Sequence, residues 1–309
     1  MILLEIIFSK GKAKFKMKRV LITGANSYIG TSFKNHAAAH YPSEISVETL
    51  DMIGPLWREK NFSDFDIVFH VAGIAHADSG RETEEEKARY FAVNRDLAIE
   101  TAKKAKRDGV KQFVFMSSML VYGTSQERIN KDTVPQPVLC YALSKWQADE
   151  KIRELADENF KVSIMRPPMI YGKNCRGNYP LLSKIARHAP IFPDYKNERS
   201  MCYIENFCEF VCQIIIRGQA GVFFPQNSEY VNTSDMVRTI ARVAGHKIFI
   251  SKTFNFLVAL GLCVKPFRIA ERTGKAFATL TYDKSMSEYD FNYRVADFET
   301  SIKFIEGKN

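Results

Sequence analysis

Long apolar runs are missing from this 309-residue sequence. A helix that crosses a bilayer needs about 18–20 consecutive apolar residues. The longest apolar stretch, Phe254–Val264, spans 11 residues and includes an asparagine. We therefore expect no membrane span, and we interpret this stretch as a core or lid helix rather than as a surface anchor.

Paired cysteines are also missing. The six cysteines form no CxxC pair, the spacing that is typical of zinc sites and dithiol redox sites. Cys208 and Cys212 lie four residues apart on a predicted helix, and no histidine accompanies them. These features predict buried, reduced thiols, no metal site and a cytoplasmic protein.

Basic runs interleaved with aromatic residues, which would favour nucleic-acid binding, are absent as well. The net charge is +9. This positive excess suits an anionic small-molecule substrate, but it is equally compatible with a protein that has no charged partner.

Residues 1–16 place an apolar run before a basic one, the reverse of a signal peptide. Because "MKRVLITG" at Met17 looks like a natural start, we interpret 1–16 as a disordered tail or an over-extended start.

What the sequence does contain is an alternation of short β-rich runs with helical segments. The β-rich runs are continuously apolar, which indicates a parallel sheet covered on both faces. The sequence therefore predicts a doubly wound α/β fold of the Rossmann type. Its main elements are a first strand over 19–24, a helix over about 28–40, strands over 45–51 and 66–73, a long charged helix over 81–109 and a helix over about 141–157.

A change of composition divides the chain. Residues 167–199 are rich in Pro, Gly and Asn, whereas 200–227 return to the pattern of the sheet. We predict a Rossmann domain over 17–166 plus about 200–227. A smaller substrate-binding region would comprise 167–199 and 228–309.

The stretch "RVLITGANSYIG" has the form of a strand, a glycine turn and a helix start. Gly24 permits a tight turn, and Gly30 lets the helix lie close to the sheet. The first helical residues, Tyr28 and Ile29, would offer free N–H groups to a pyrophosphate. No lysine follows Gly30, so the stretch is not a P-loop. Ser27 replaces the middle glycine of the usual fingerprint, and we predict that the turn keeps its shape with the hydroxyl facing phosphate or solvent.

Asp51 ends the second predicted strand, 27 residues after Gly24. A carboxylate at this position can accept both ribose hydroxyls of an adenosine and would repel a 2′-phosphate. The sequence therefore favours NAD over NADP as the cofactor. The alternative is an ordinary turn residue at the end of a strand.

The stretch "YALSK" places Tyr141 and Lys145 at i and i+4 on one helix face. A neighbouring ammonium would lower the pKa of the phenol, so that Tyr141 could take a proton from a sugar hydroxyl. Ser117 and Ser118 end a predicted strand at the edge where ligands bind in such sheets. A serine there can hydrogen-bond the reacting oxygen.

These motifs occur in an order that resembles the extended short-chain dehydrogenase/reductases, specifically the NAD-dependent epimerase/dehydratase family that acts on nucleotide sugars. The resemblance spans about 18–303. It implies Ser118, Tyr141 and Lys145 as the catalytic residues, with Ser118 chosen because it stands five residues before Gly123. It also implies that the cofactor site is lined or braced by a further set: Ala72, Gly73, Asn94 and the backbone around Pro167.

The resemblance implies a nucleotide-sugar substrate and, as a further expectation, a homodimer. Asn178 matches an asparagine near the uridine, and Arg199 matches an arginine of a segment that holds the nucleotide diphosphate. They could instead be a loop-capping asparagine and a surface arginine. "GKAFATLTYDKSMS" resembles the segment that closes over the nucleotide. Met169 stands where many epimerases carry an asparagine.

Three functions remain open at this point. The leading prediction is a nucleotide-sugar 4-epimerase for a UDP-hexose or UDP-N-acetylhexosamine. The alternative is a 4-keto-sugar reductase for surface polysaccharides, because "RPPMIYGKNCRGNY" is similar to a segment of such enzymes. A non-catalytic NAD-sensing protein is the third. Dehydration is disfavoured, because Met119 and Leu120 occupy the positions of the acidic pair that dehydratases of this family use.

Overall fold

The computed structural model describes residues 17–75, 83–256, 258, 274 and 277–307. The predicted tail, 1–16, and most of Phe254–Val264 lie outside the described residues.

Strands and helices alternate along the described chain. The strands are β1 Lys18–Thr23, β2 Ile45–Leu50, β3 Ile67–His70, β4 Gln112–Met116, β5 Arg128–Ile129, β6 Lys161–Met165, β7 Met169–Tyr171, β8 Ile191–Pro193, β9 Met201–Tyr203, β10 Gly221–Phe223, β11 Phe249–Ser251 and β12 Thr281–Tyr282. The α-helices are α1 Tyr28–His40, α2 Glu84–Tyr90, α3 Ala98–Arg107, α4 Cys140–Arg153, α5 Asn178–His188, α6 Ile204–Arg217, α7 Thr233–Val243 and α8 Phe298–Glu306.

Six strands form one parallel sheet in the order β10-β6-β4-β3-β1-β2. Alternate residues of β1 enter cores on opposite faces, Val20 and Ile22 on one and Leu21 on the other. Helices α1 and α6 pack on the first face, whereas α3 and α4 pack on the second. The predicted doubly wound α/β fold is therefore confirmed.

The segment predicted as one long helix is divided. Helices α2 and α3 are joined by a π-helical turn over Phe91–Leu97, a form that often occurs at functional sites. Gly109 follows the end of α3 with a φ of +85°, as expected for a residue that ends a helix in the left-handed conformation.

The C-terminal part of the chain shares a core with the sheet. Leu182 of α5, Val237 of α7 and Ile302 of α8 belong to the same buried cluster as Val20. Cys208 and Cys212 are buried in this cluster as well. In the described ranges, no helix combines the length and the apolar character that crossing a membrane requires.

Candidate active site

The glycine turn lies where the sheet order reverses, with β2 on one side of β1 and β3 on the other. In doubly wound folds, ligands bind at this point beyond the carboxyl ends of the strands. Gly24 has a φ of +118°, and a Cβ there would stand 2.7 Å from the backbone nitrogen of Ala72. The turn therefore requires glycine. Asp51 follows β2 beside this turn, since the Leu50 carbonyl accepts the N–H of Gly24 at 2.9 Å, and Asp51 is exposed.

The Ser27 side chain has a local role that the sequence prediction did not include. Its hydroxyl accepts the N–H of Gly30 at 3.1 Å, so that Ser27 is the N-cap of α1. A serine directly before a helix makes this bond because the first-turn N–H groups lack acceptors within the helix. That the hydroxyl also faces a phosphate or solvent stays a prediction. Among the described residues, the N–H groups of Tyr28 and Ile29 have no acceptor. The cap thus leaves two amides free at the glycine turn.

Replacing Ser27 with alanine should lower the free energy of unfolding by about 1 kcal/mol, because the Gly30 N–H loses its acceptor. Ser27→Gly should cost only about 0.3 kcal/mol, since glycine is itself tolerated at this position. Urea unfolding of the two variants beside the wild type measures both. Equal losses in the two variants would contradict the capping role.

Helix α4 carries Tyr141 to the neighbourhood of Ser118. Burial raises the pKa of the Tyr141 phenol, and the nearby Ser118 side chain lowers it by less. Ser117 is engaged elsewhere, because its hydroxyl donates to Asp149 at 2.9 Å. Of the two adjacent serines, Ser118 is therefore the one that acts on the phenol.

Lys145 is 4% exposed, and burial lowers its pKa to about 8. Within the described ranges, no carboxylate lies within 4 Å of its ammonium. The ammonium stands 4.9 Å from the ring centroid of Phe115, and a Cβ on Gly73 would be 3.0 Å from its Nζ. The lowering of the Tyr141 pKa by Lys145 together with a positive nicotinamide stays a prediction, because it requires a bound cofactor. The side chain extends toward Gly73, and the net shift of the phenol is upward.

Replacing Lys145 with methionine should stabilise the cofactor-free protein by up to about 3 kcal/mol at pH 7, because a buried unpaired charge is removed. The unfolded lysine keeps its proton up to about pH 10.5, whereas the folded one loses it near pH 8. Wild-type stability should therefore rise with pH across this window, and the advantage of Lys145→Met should shrink.

Urea unfolding at pH 7 and pH 10 measures this difference. The matched control is Lys151→Met, which removes an exposed lysine of the same helix and should change stability by less than about 0.5 kcal/mol. A Lys145→Met protein less stable than wild type at pH 7 would contradict the expectation.

Asn94 braces the cleft from the π-helical turn. Its side chain accepts the N–H of Ile74 at 2.8 Å and donates to the Ile74 carbonyl at 3.0 Å. It also donates to the Ser144 hydroxyl at 3.3 Å, and that hydroxyl donates to the Tyr141 carbonyl at 2.8 Å. Asn94 thus ties the chain after β3, including Gly73, to the helix that carries Tyr141.

His70 lies below the cleft at the end of β3. Its Nδ1 is 2.8 Å from the Thr23 hydroxyl, and burial together with the nearby Lys145 charge lowers its pKa to about 3. It therefore remains neutral at pH 7 and adds no second positive charge beside Lys145. No motif of the sequence indicates a role for this histidine.

A buried ion pair behind Ser118 was also missed. The carboxylate of Asp149 accepts two hydrogen bonds from the Arg166 guanidinium, at 2.9 and 3.0 Å. Arg166 also donates to the Tyr122 hydroxyl at 2.7 Å. Since Asp149 additionally accepts from Ser117, this network joins α4 to the ends of β4 and β6. The sequence signal for this pair was the carboxylate of Asp149, which lies two helical turns after Tyr141 on α4.

The backbone at Pro167 lies at this junction. Its carbonyl accepts the N–H of Met119 at 2.9 Å, which connects the chain after β6 to the turn after Ser118. The carbonyl still has a second lone pair for a ligand.

Arg199 is a partly buried side chain without a carboxylate partner in the described ranges. Its Nη1 donates to the Ala278 carbonyl at 2.7 Å, its Nε has no partner among the described residues, and burial lowers its pKa to about 10. Such a group is suited to bind an anion. Asn178 begins α5 directly after Gly177 and is partly buried.

Among the hydrogen bonds of the described residues, none joins Arg199 to Ser118 or Tyr141. The C-terminal segment connects Arg199 to the catalytic region, because Arg199 pairs with Leu280 and Tyr282 packs against Tyr122 at a ring distance of 6.1 Å. Leu280 and Met119 share a buried cluster. The segment predicted to close over the substrate therefore lies beside the turn after Ser118.

The residues at this edge of the sheet fit a dinucleotide. Two free amides meet the requirement of a pyrophosphate, Asp51 can accept from ribose hydroxyls, and Gly24 and Gly73 leave space that side chains would fill. In the part of the chain that the structure describes, no three His, Cys, Asp or Glu side chains are grouped to hold a metal ion.

Comparisons with known proteins agree with this geometry. Residues 20–223 match the model of the "NAD dependent epimerase/dehydratase family". The chain is 26% identical over 247 residues to a UDP-glucose 4-epimerase of Vibrio cholerae, and the aligned region covers 72% of this chain and 75% of the relative. It is 30% identical over 248 residues to the N-acetyl-alpha-D-glucosaminyl-diphospho-ditrans,octacis-undecaprenol 4-epimerase of Escherichia coli O157:H7. The aligned region covers 74% of this chain and 73% of the relative. The solved dTDP-4-dehydrorhamnose reductase of Bacillus anthracis, a complex with NADP, superposes with a TM-score of 0.67 at 17% identity over 94% of this chain and 99% of that one.

Proposed function

We propose that this chain, which belongs to the NAD-dependent epimerase/dehydratase family, is a 4-epimerase. Its substrate in this proposal is a UDP-hexose or a UDP-N-acetylhexosamine. Membership makes it an NAD-dependent epimerase or oxidoreductase. The observation that carries the proposal is the nearness of the Ser118 side chain to the Tyr141 phenol, beside a buried Lys145 that has no carboxylate partner among the described residues. This arrangement suits proton removal from a sugar hydroxyl.

In the proposed reaction, Tyr141 removes the proton of the C4 hydroxyl as general base. Ser118 hydrogen-bonds the same oxygen and holds it near the phenol. Lys145 supplies positive charge to the cleft, which favours the phenolate. NAD, when bound, supplies the acceptor and later the donor of the hydride. The 4-keto sugar then rotates in the site so that its other face meets the hydride donor, and Tyr141 returns the proton to the product.

The residues that would hold the cofactor follow from the fit at the sheet edge. The N–H groups of Tyr28 and Ile29 would bind the pyrophosphate, and Gly24 and Ala72 would let it approach the backbone. Asp51 would accept from the adenosine ribose, and its exposed carboxylate would repel a 2′-phosphate. NAD is therefore preferred to NADP.

The surroundings of Ser118 also select among reactions. Met119 is buried and apolar, and Leu120 is part of the same apolar turn. Neither side chain can move a proton, so loss of water from the sugar is not expected. Reduction of a 4-keto sugar remains the second candidate, favoured by the similarity of Arg166–Tyr179 to such reductases.

Turnover without added reduced cofactor separates the two candidates. Incubation of the purified protein with UDP-glucose or UDP-N-acetylglucosamine should yield the C4 epimer with no NADH added, because a hydride taken from the substrate is returned to it. Chromatography of the sugar nucleotides measures the product. Turnover that requires NADH consumption would favour the reductase and contradict the epimerase.

The substrate feature that would be shared across relatives is a sugar diphosphate. The Vibrio cholerae relative acts on a nucleotide sugar, whereas the substrate name of the Escherichia coli relative is a sugar diphosphate on undecaprenol. Arg199, a partly buried cation without a carboxylate partner among the described residues, would bind the diphosphate, and Asn178 would lie near the group beyond it. The cytoplasmic location, the homodimer and the two-part domain division remain predictions.

A further inference from the structure

Large apolar side chains are exposed on the small sheet formed by β8 and β11. Phe249 and Ile191 are register partners in this parallel pair, so their side chains lie on the same face. Phe249 is 66% exposed and Ile191 is exposed as well, whereas Phe192, on the opposite face, is buried. Phe256, shortly after β11, is 60% exposed. Clustered exposed apolar groups of this size mark interaction sites.

Positive charge flanks these apolar groups. Residues 236–256 contain four Lys and Arg and no acidic residue. Arg238 pairs with Asp235, and Arg242 pairs with Glu299. Lys247 and Lys252 stand before and after β11, and neither has a carboxylate within 4 Å among the residues that the structure describes. We call Ile191, Phe249, Phe256, Lys247 and Lys252 together the β8–β11 surface.

Two aromatic rings connect the β8–β11 surface to the residue that Arg199 binds. Behind Ile191, the ring of Phe192 packs on Phe277 at a centroid distance of 5.8 Å. The next residue, Ala278, accepts a hydrogen bond from Arg199. The β8–β11 surface and Arg199 therefore belong to one contiguous part of the structure.

We propose that the β8–β11 surface docks on an anionic lipid bilayer. Aromatic rings are favoured at the headgroup level of a membrane, and each nearby lysine adds attraction to anionic lipids. A second copy of this chain fits less well, because two such faces would oppose their unpaired lysines. Docking would hold the cleft beside the membrane surface, a placement whose use in catalysis rests on the proposed function.

Flotation of the full chain with lipid vesicles tests the proposal. The protein should float with phosphatidylcholine vesicles that contain phosphatidylglycerol, and remain behind with phosphatidylcholine alone or at high salt. Replacing Lys247 and Lys252 together with glutamine should weaken binding by about 30-fold, roughly fivefold for each lysine. Replacing Phe249 and Phe256 together with serine should also abolish flotation.

The matched control is Phe304→Ser. Phe304 is 64% exposed but lines a different cavity, with His36 and Tyr41, and its replacement should leave flotation intact. The proposal is wrong if the wild type does not float with anionic vesicles, or if the lysine and phenylalanine variants float as well as wild type. A wild-type dimer that the Phe249 and Phe256 replacements dissociate would assign the surface to a second copy instead.

The same variants separate this proposal from the proposed function. Turnover of a soluble nucleotide sugar should be unchanged in the lysine and phenylalanine variants, since their side chains lie outside the cleft. Flotation without any turnover would leave the docking surface standing and remove the epimerase. Turnover without flotation would do the reverse.

Discussion

Replacing Tyr141 with phenylalanine is expected to lower kcat by about 10²–10⁴-fold, because the proton of the sugar hydroxyl loses its acceptor. The change removes one oxygen atom and leaves the ring, which packs against Tyr90 at a centroid distance of 6.2 Å. Binding of NAD should therefore be retained. Steady-state kinetics with the nucleotide sugar and calorimetry with NAD measure the two effects separately.

The matched control is Tyr289→Phe. That hydroxyl accepts the N–H of Phe224 at 2.9 Å, within the aromatic cluster around Phe210 and away from the cleft. Its loss should cost about 1 kcal/mol of stability and leave kcat unchanged. Unchanged turnover in Tyr141→Phe would remove the catalytic assignment and favour a non-catalytic NAD-binding protein.

Replacing Asp149 with alanine is expected to lower the free energy of unfolding by about 3–5 kcal/mol, because the buried Arg166 guanidinium loses its carboxylate. Both side chains of this pair are buried, so water cannot replace the lost partner. The Ser117 hydroxyl loses its acceptor as well. Extrapolated urea unfolding of the cofactor-free protein measures the loss.

Glu150→Ala is the control for this change. Glu150 is the next residue of α4 but is exposed, so its replacement should alter stability by less than about 0.5 kcal/mol. If Asp149→Ala were no less stable than Glu150→Ala, the ion pair would not hold the end of β4 in place. The position of Ser118 would then need another explanation.

The sheet and the edge that carries the site could be predicted because each depends on local pattern. Continuously apolar runs between helical segments indicate parallel strands, and the carboxyl ends of parallel strands meet at one edge. Gly24, Ser118 and Asp51 follow three such strands, so their shared location required no knowledge of packing. The spacing to Gly123 also distinguished Ser118 from Ser117, and Ser118 is the serine whose side chain acts on the pKa of Tyr141.

The directions of side chains and the burial of charged groups could not be predicted from the sequence pattern. The i and i+4 spacing places Tyr141 and Lys145 on one helix face, but the direction of the Lys145 ammonium depends on Gly73 and Phe115 from neighbouring strands. The burial of Asp149 depends on Arg166, 17 residues later and on a different element. Such pairs become visible only when the elements pack.

Ser27 illustrates a local signal that was available but interpreted otherwise. A serine directly before a helix is a favoured N-cap, and the structure shows this bond to Gly30. Because Ser27 occupies the place of the middle glycine in the dinucleotide fingerprint, its hydroxyl was interpreted in terms of phosphate binding. Local hydrogen bonding explains why serine is accepted at this position.

Transfer of the C4 hydrogen tests the central claim most directly. With a UDP-hexose deuterated at C4 and no added NADH, the proposed epimerase should return deuterium to C4 of the epimerised product, because the hydride never leaves the site. Mass spectrometry with NMR of the product locates the label. Formation of the epimer with loss of the label to water, or no epimer without NADH, would contradict the account.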